Sequence, residues 1–289
     1  MSKLVIGCGY LGSRVARRWR QEGAEVYITT RSADRAVQQQ ADGYRPIVAD
    51  VTRPETLTSL PQARTVLFAV GYDRSAAASM REVYVQGLAN VLAALPAEVE
   101  RFIYISSTSV YGQTSGEAVD EDSACEPSRE NGQILLDAER TLAAHPLGSR
   151  AIILRLAGIY GPDRVPNRAA LIAGSPIAAS PFGRLNLIHV DDAAEVVLAA
   201  EKYPRPPRTF LVSDGDPPLR EDYYREAARL LGAPAPVFSD PAPDSSRGQR
   251  GLSDKRILND RMVAELQVRL NYPSYREGLA AIFSDPSAI

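Results

Sequence analysis

Residues 3–12 read KLVIGCGYLG, a short apolar run that ends at three closely spaced glycines. Val15, Ala16 and Trp19 then recur at helical spacing as far as about Gln21. The segment is therefore predicted to form a strand, a tight turn and a helix. Its glycines fit the pattern G-x-G-x-x-G, and this strand-turn-helix setting gives the short motif a specific physical meaning.

The three glycines have separate roles in such a turn. The first permits the tight turn, the second lets backbone amides approach a pyrophosphate, and the third lets the helix close onto the strand. The positive end of the helix then attracts the phosphate charge. The turn predicts a dinucleotide site, with a purely architectural turn as the alternative. The residues predicted to contact the nucleotide here are Gly7, Gly9, Tyr10, Leu11 and Gly12.

Apolar runs and helical patterns alternate through the first half of the chain. Strands are predicted over residues 25–29, 65–69, 101–105 and 151–156, with helices over about 80–95 and 131–144. Near-continuous apolar strands that alternate with helices indicate a parallel sheet covered on both faces. The predicted fold class is α/β, a Rossmann doubly wound parallel sheet with a smaller C-terminal substrate-binding lobe.

The chain changes character after Gly161, where frequent prolines divide it into short pieces. We therefore expect a nucleotide-binding domain over residues 1–160 and a smaller lobe over residues 161–289, with segments of about 185–212 returning to the first sheet. Sequence patterns in the second half predict a helix after Asp191-Asp192, a strand over 209–212, helices over 221–231 and about 254–270, and a loop over 239–250.

The composition excludes several classes of protein. The 289 residues are 45% hydrophobic and 24% charged, and they contain no apolar run of the roughly 18 residues that a membrane helix needs. The start does not resemble a secretory signal, so the cytoplasm is the expected compartment. Two cysteines and two histidines leave little material for a disulfide framework or a metal site. The net charge of -2 argues against nucleic acid and membrane surfaces, which leaves a small molecule or a protein as the expected partner.

The end of the second predicted strand bears on the choice of dinucleotide. NAD sites normally place Asp or Glu there to bind the ribose 2'-hydroxyl, whereas this chain reads Thr-Thr-Arg-Ser over residues 29–32. A guanidinium binds phosphate in a bidentate way, and neighbouring hydroxyls add donors. Thr30, Arg31 and Ser32 therefore favour NADP(H), with NAD(H) as the second choice. In the alternative interpretation, Arg31 is only a solvated residue at a strand end.

Residues at the ends of two further strands complete the predicted site. The carboxyl ends of parallel strands meet at one edge of the sheet, and ligands bind there. Asp50 follows the strand-like run 46–49 and is expected near the adenine, although it could equally cap a turn. The residues predicted at these two strand ends are Asp50, Val51, Ala69, Val70 and Gly71.

Three later blocks carry a family resemblance. Residues 105–112 read ISSTSVYG, residues 155–162 read RLAGIYGP and residues 187–194 read LIHVDDAA. In this order and spacing they resemble the NAD(P)-dependent epimerase/dehydratase family, the extended short-chain dehydrogenase/reductases. The resemblance covers nearly the whole chain, and the tail over 253–256 and 272–279 resembles a poorly characterised branch. It implies oxidoreduction or epimerisation of a small substrate such as a sugar nucleotide, in a homodimer built on helices.

Two departures from the family pattern concern the turn and the chemistry. Extended members usually carry G-x-x-G-x-x-G, but this chain has Ile6 at the first position and its additional glycine is Gly7. Hydride transfer in the family uses Tyr-x-x-x-Lys, in which the lysine lowers the tyrosine pKa so that the phenolate exchanges a proton near neutral pH. The matching positions are Asn131 and Leu135. None of the three lysines in the chain follows a tyrosine at this spacing.

Candidate catalytic residues are therefore few. Ser107 matches the family's active-site hydroxyl, which would bind a substrate carbonyl or alcohol; alternatively, it satisfies local backbone at a strand end. His189 is expected at a strand end before a helix capped by Asp191. A Ser-His-Asp triad is disfavoured because the chain lacks G-x-S-x-G. The residues that could replace the missing acid or base are Glu130, Asp122, Tyr160 and His189, and none is compelling.

Other reactive side chains receive packing roles. A thiolate at Cys8 would be favoured by the helix start, but bound nucleotide would cover it. The resemblance gives Tyr111 a largely structural place, and Tyr272 and Tyr275 are expected to pack the end of the chain. Two function hypotheses remain: an NADP(H)-dependent oxidoreductase or epimerase without the usual Tyr-Lys pair, and a catalytically silent dinucleotide sensor that controls a partner.

Overall fold

A computed structural model describes residues 2–240 and 254–284 of the chain. The chain divides into two compact units, each assembled from separate segments. The first unit contains the residues up to Val110, Cys125–Arg155 and Ala194–Phe210, and the second contains Tyr111–Ala124, Leu156–Ala193 and the residues from Leu211 onwards. A substrate-binding role for residues 161–289 stays a prediction.

A seven-stranded sheet is the central element of the fold. Its strands are β1 (Ser2–Ile6), β2 (Glu25–Thr30), β3 (Arg45–Val48), β4 (Thr65–Phe68), β5 (Arg101–Ser107), β7 (Ala151–Leu156) and β11 (Arg208–Val212). They lie in the order β11-β7-β5-β4-β1-β2-β3. The pairs β1–β2, β2–β3, β1–β4 and β4–β5 are all parallel. The predicted α/β class with a doubly wound sheet is confirmed.

Helices follow most of these strands. They are α1 (Gly12–Gln21), α2 (Ala33–Ala41), α3 (Gly87–Ala94), α4 (Glu130–Ala144) and α6 (Val190–Lys202). The predicted apolar face of α1 is confirmed, because Val15, Ala16 and Trp19 are fully buried. The helical segment predicted over about 80–95 is confirmed, and within it Glu82–Gln86 form a π-helical turn directly before α3.

The strand order reverses between β1 and β4. Strands β2 and β3 extend the sheet on one side of β1, and β4 and β5 extend it on the other. The register pairs Ile6 with Phe68 at the carboxyl ends of β1 and β4. An open sheet of this kind has a crevice outside the carboxyl ends at the point of reversal. The glycine turn after β1 lies at that point.

A buried ion pair fixes α4 against the sheet. The Arg155 side chain in β7 contacts both carboxylate oxygens of Glu139 in α4, with Nη2 2.6 Å from Oε2 and Nε 3.0 Å from Oε1. The Ser106 hydroxyl in β5 donates to Glu139 Oε1 at 2.5 Å. All three side chains are buried. Two strands and one helix therefore share a single buried carboxylate.

The second unit is built from short elements around an aromatic core. Its strands are β6 (Glu117–Val119), β8 (Gly158–Tyr160), β9 (Ile177–Ala178), β10 (Leu187–His189), β12 (Phe238–Ser239) and β13 (Lys255–Ile257), and its helices are α5 (Arg168–Ile172), α7 (Arg220–Leu231), α8 (Asp260–Leu266) and α9 (Tyr275–Ser284). The strands pair in parallel as β8–β10, β9–β12 and β6–β13. Tyr160, Tyr223, Tyr275 and Leu279 lie in its core, so the packing role predicted for Tyr275 is confirmed.

The end of the chain departs from its sequence prediction. The helix predicted over about 254–270 is wrong in its first part, because Lys255–Ile257 form strand β13. Lys255 and Ile257 are buried and Arg256 is exposed, which is the period of a strand. The loop predicted over 239–250 lies almost wholly outside the described residues, and Ser239 itself ends strand β12.

Removal of the guanidinium from the buried ion pair is expected to destabilise the first unit. Arg155→Met leaves the carboxylate of Glu139 buried without its cation, so the free energy of unfolding should fall by about 3–5 kcal/mol. Arg229→Met is the matched control, because Arg229 pairs with Glu226 on an exposed helix face and such pairs contribute about 0–1 kcal/mol. Urea denaturation measures both variants; equal losses would contradict the interpretation.

Candidate nucleotide site

Two of the three glycines in the turn lie against backbone atoms, and the third has free space beside it. Gly7 has a φ of +94°, and a Cβ there would lie 2.6 Å from the Ala69 carbonyl and the Val70 nitrogen. A Cβ on Gly12 would lie 2.2 Å from the Gly7 oxygen. No atom lies within 4 Å of the corresponding position on Gly9. Gly7 and Gly12 therefore permit close packing, and the Gly9 face is available to a ligand.

Hydrogen bonds hold the turn against neighbouring elements. The Gly7 N–H donates to Thr29 Oγ1 in β2 at 3.2 Å. The Arg14 side chain donates to the Tyr10 carbonyl at 2.8 Å, and its guanidinium lies 4.3 Å from the centre of the Tyr10 ring. The turn is thus connected to both β2 and the first turn of α1.

A cavity of about 420 Å³ opens beside the turn, within the range of roughly 300–1,000 Å³ that small-molecule sites occupy. All of its residues belong to the first unit. They are Gly7, Cys8, Gly9, Thr29, Thr30, Arg31, Arg35, Gln39, Ala49, Asp50, Val51, Thr52, Val70, Gly71, Asp73, Ala76, Ala77, Ala78 and Val83.

Eight of the thirteen residues predicted to bind the nucleotide line this cavity. They are Gly7, Gly9, Thr30, Arg31, Asp50, Val51, Val70 and Gly71. The other five are not part of the wall, and each lies within three residues of a lining residue in the chain: Tyr10, Leu11, Gly12, Ser32 and Ala69. The cavity thus brings together residues from the ends of four strands, and their contact with a nucleotide stays a prediction.

The wall of the cavity contains two arginines. Arg31 follows β2, and Arg35 lies in the first turn of α2. Ser32 caps this helix, because its Oγ accepts from the Arg35 N–H at 3.3 Å. The Ser32 hydroxyl still carries a proton that it can donate. Arg35 was not predicted from the sequence, because its place in the wall depends on the packing of α2.

Asp50 and Gln39 supply acceptors elsewhere in the wall. Asp50 Oδ1 accepts from the Thr52 N–H at 2.9 Å and the Thr52 hydroxyl at 2.8 Å, so the residue closes a turn while it lines the cavity. Gln39 Oε1 is buried and has no hydrogen-bond partner among the described residues. A buried acceptor of this kind requires a donor, which a bound ligand can supply.

The Cys8 thiol also lies in the cavity wall. Burial raises its pKa to about 11, while the Arg35 guanidinium acts in the opposite direction. The thiol therefore stays protonated at neutral pH despite its position before α1. This protonation state fits the packing role that was expected for Cys8.

The positions expected for chemistry form no known acid-base pair. Ser107 Oγ accepts from the Ser109 N–H at 3.2 Å, which is the local role considered as its alternative. Ser107 does not line the cavity. On α4, Asn131 is half-buried and Leu135 is 6% exposed. An amide and an alkyl side chain therefore lie at the two positions predicted to match the family's tyrosine and lysine, and that match stays a prediction.

In the second unit, His189 and Tyr160 are buried together. His189 is 1% exposed, and its Nδ1 accepts from the Asp191 N–H at 3.3 Å. The rings of His189 and Tyr160 meet edge to face at 5.3 Å. Burial raises the pKa of Tyr160 above its ordinary value, so its phenol is a weaker acid at neutral pH. Helix α6 begins at Val190, so Asp191 lies within its first turn and is not the expected cap.

The remaining candidate acids have other contacts or are solvated. Asp122 pairs with Arg261 at 2.5 Å on the surface of the second unit. Glu130 is exposed at the first residue of α4. Asp192, next to His189, is fully buried and its carboxylate accepts from the backbone N–H groups of Asn271 and Tyr272, each at 2.8 Å. These contacts identify Asp192 as the residue that anchors the segment before α9.

Sequence reasoning missed Asp214, a buried carboxyl in the second unit. It is 7% exposed; Oδ1 accepts from the Asp216 N–H at 3.2 Å, and Oδ2 has no hydrogen-bond partner among the described residues. Burial raises its pKa to about 8. No sequence signal marked it, because a short Ser-Asp-Gly-Asp run after a strand is typical of a turn.

Residues 2–240 and 254–284 contain no group of three or more His, Cys, Asp or Glu side chains that could hold a metal ion. No helix in the same part of the chain is long and apolar enough to cross a membrane.

Comparisons with known proteins agree with this architecture. The model of the "NAD dependent epimerase/dehydratase family" matches residues 4–212. Protein YeeZ of Escherichia coli (strain K12) is 30% identical over 277 residues, which cover 93% of this chain and 95% of YeeZ. A conserved protein of unknown function from Silicibacter pomeroyi DSS is 31% identical with a TM-score of 0.81, over 98% of both chains. UDP-glucose 4-epimerase of Thermotoga maritima, solved with UDP-glucose, is 17% identical with a TM-score of 0.81 over 98% of both chains, which shows a shared fold.

The raised pKa of Asp214 predicts a pH-dependent stability. An unfolded aspartate ionises near pH 4, whereas folded Asp214 keeps its proton up to about pH 8. The folded state therefore binds more protons between these values, and the free energy of unfolding falls as the pH rises. The side chain of Asp214→Asn cannot ionise. The melting temperature of the variant minus that of the wild type should therefore be at least about 3 °C larger at pH 8 than at pH 5. A difference that is independent of pH would contradict the assignment.

Proposed function

The chain belongs to the NAD dependent epimerase/dehydratase family, and on that premise we propose that it binds NADP(H) in the cavity of its first unit. Support comes from the open face of Gly9, which lies between two glycines that permit close packing. A pyrophosphate needs such an approach to the backbone at the start of a helix. The residues proposed to hold it are Gly7, Gly9, Tyr10, Leu11 and Gly12.

Two arginines in the cavity wall favour NADP(H) as the cofactor. Arg31 and Arg35 line the cavity, and Thr30 ends β2 where NAD sites normally have an acid. Two guanidinium groups and the Ser32 hydroxyl offer several donors to a 2'-phosphate. The pair of arginines is the single observation on which the cofactor preference depends.

The adenosine is proposed to lie along the rest of the wall. Asp50, Val51, Val70 and Gly71 line this part of the cavity, and Ala69 precedes them at the end of β4. The unpartnered Oε1 of Gln39 would accept from an amino or hydroxyl group of the adenosine. The wall therefore combines apolar surface with a few acceptors, as nucleotide pockets do.

The proposed activity is oxidoreduction or epimerisation of a small substrate, of which a sugar nucleotide is the leading class. A nicotinamide supplies hydride transfer when bound. The Ser107 hydroxyl is proposed to hold the reacting oxygen of the substrate. Because Asn131 and Leu135 replace the usual pair, proton transfer has to use another residue or water. By family resemblance, the proposal includes a homodimer, and the cytoplasm stays the expected compartment.

A second candidate function is a silent dinucleotide sensor. The observation that favours it is the combination of an intact glycine turn with an amide and an alkyl group at the family's acid-base positions. In this hypothesis the nucleotide controls contact with a partner and no substrate turns over. Both functions require the same nucleotide site.

Arg31→Ala tests the cofactor assignment. Loss of charged hydrogen bonds to a phosphate should weaken NADPH binding about 10- to 100-fold, while NADH affinity should change less than about twofold because NADH has no 2'-phosphate. Fluorescence titration of both nucleotides measures the change. Arg45→Ala is the matched control, since Arg45 is exposed and pairs with Glu25 outside this cavity. An equal loss of affinity for both nucleotides would show that Arg31 does not contact the 2'-phosphate. A wild type that binds neither nucleotide would refute the proposal.

Turnover separates the enzyme from the sensor. A screen of sugar nucleotides, carbonyl compounds and alcohols should find a substrate. Oxidoreduction is followed by NADPH absorbance, and epimerisation, which leaves the net redox state of the cofactor unchanged, is followed by NMR of the sugar. Ser107→Ala should lower the kcat of either reaction at least about 100-fold. NADPH affinity should stay unchanged in this variant, because Ser107 lies outside the cavity wall. Turnover that survives Ser107→Ala would remove Ser107 from the mechanism, and nucleotide-dependent partner binding without turnover would favour the sensor.

A further inference from the structure

A carboxylate contacts one of the two arginines in the cavity wall. Asp73 lies in the loop after β4, and it lines the same cavity as Arg31 and Arg35. Its Oδ2 is 3.1 Å from Arg31 Nη2. The side chains of Asp73 and Arg31 are 43% and 57% exposed, so both remain accessible to a ligand. Asp73 thus forms an ion pair with Arg31 inside a cavity whose wall also contains Arg35.

Local contacts hold the Asp73 carboxylate in place. Its Oδ1 accepts from the Ser75 N–H at 3.0 Å and from the Ser75 hydroxyl at 2.6 Å. The preceding Tyr72 N–H donates to Tyr84 Oη at 3.1 Å, which ties the loop to the π-helical turn. The Ser75 hydrogen bonds and Arg31 lower the pKa of Asp73, so it is ionised at neutral pH. The loop therefore presents a fixed negative charge.

Asp73 supplies a carboxylate acceptor, which the end of β2 does not. An ionised carboxylate is an acceptor for a ribose 2'-hydroxyl, and NAD sites normally obtain it from the end of the second strand. In this chain β2 ends at Thr30, which has no carboxylate. Asp73, however, lies within ion-pair distance of Arg31, the residue that directly follows Thr30. The segment after β2 thus supplies a guanidinium, which favours a phosphate, and the loop after β4 supplies a carboxylate, which favours a hydroxyl.

We propose that Asp73 determines the cofactor specificity of the site: it binds the ribose 2'-hydroxyl of NAD(H), and it competes with the 2'-phosphate of NADP(H) for Arg31. The inference rests on the proposed nucleotide site. A phosphate that binds Arg31 has to displace or approach a carboxylate, which costs free energy by like-charge repulsion. A hydroxyl leaves the Arg31–Asp73 pair intact and adds a hydrogen bond to it. The site consequently accepts both dinucleotides, and Asp73 reduces its preference for NADP(H).

Asp73→Asn should shift the two affinities in opposite directions. The amide keeps the shape of the side chain but loses its charge, so NADH should bind about fivefold more weakly and NADPH about fivefold more tightly, as expected for an exposed charge interaction. Asp222→Asn is the matched control: Asp222 is 42% exposed and pairs with Arg225 on a helix of the second unit. Neither affinity should change in the control, and neither variant should change the melting temperature by more than about 2 °C.

A double variant identifies the route of the effect. If Asp73 acts by competition for Arg31, the gain in NADPH affinity from Asp73→Asn should disappear in an Arg31→Ala background. Parallel shifts of both nucleotides, or no shift, in Asp73→Asn would overturn the inference while the proposed function stands. A wild type that binds neither nucleotide would refute the proposed function and this inference together.

Discussion

The approach of α1 to the first strand is the constraint on which the site depends. A side chain on Gly12 would overlap the Gly7 carbonyl, and a side chain on Gly7 would overlap the backbone after β4. Without side chains at these two positions, α1 can begin directly above the sheet, and its buried face of Val15, Ala16 and Trp19 holds it there. The positive end of the helix and the open face of Gly9 then lie at the reversal of the strand order.

The charges of the cavity follow from the loops that this frame supports. The segment after β2 supplies Arg31 and Arg35, and the loop after β4 supplies Asp73. No one of these groups is deeply buried, so each contributes modestly and in a salt-dependent way. In the proposed site, the difference in affinity between NADP(H) and NAD(H) is therefore a balance of small opposing charge interactions. These charges are separate from the positions predicted for chemistry, because Ser107, Asn131 and Leu135 do not line the cavity.

Local patterns predicted the frame better than they predicted the site. The glycine turn, the strands and α1 follow from short-range periodicity, and the structure confirms them. Arg35, Gln39 and Asp73 were missed because they reach the cavity from a helix and a loop whose packing no short window contains. The helix expected over 254–270 failed for a related reason: Lys255–Ile257 pair with Glu117–Val119, a partner more than a hundred residues away. Asp214 was missed because burial, which raises its pKa, is a property of the fold.

A crystal structure of the protein with NADPH would locate the nucleotide. We expect the pyrophosphate against Gly9 at the start of α1, the 2'-phosphate within hydrogen-bond distance of Arg31, and Asp73 displaced from Arg31. A nucleotide bound elsewhere, or a turn that stays empty at saturating NADPH, would leave the three glycines with an architectural role only and refute the proposed site.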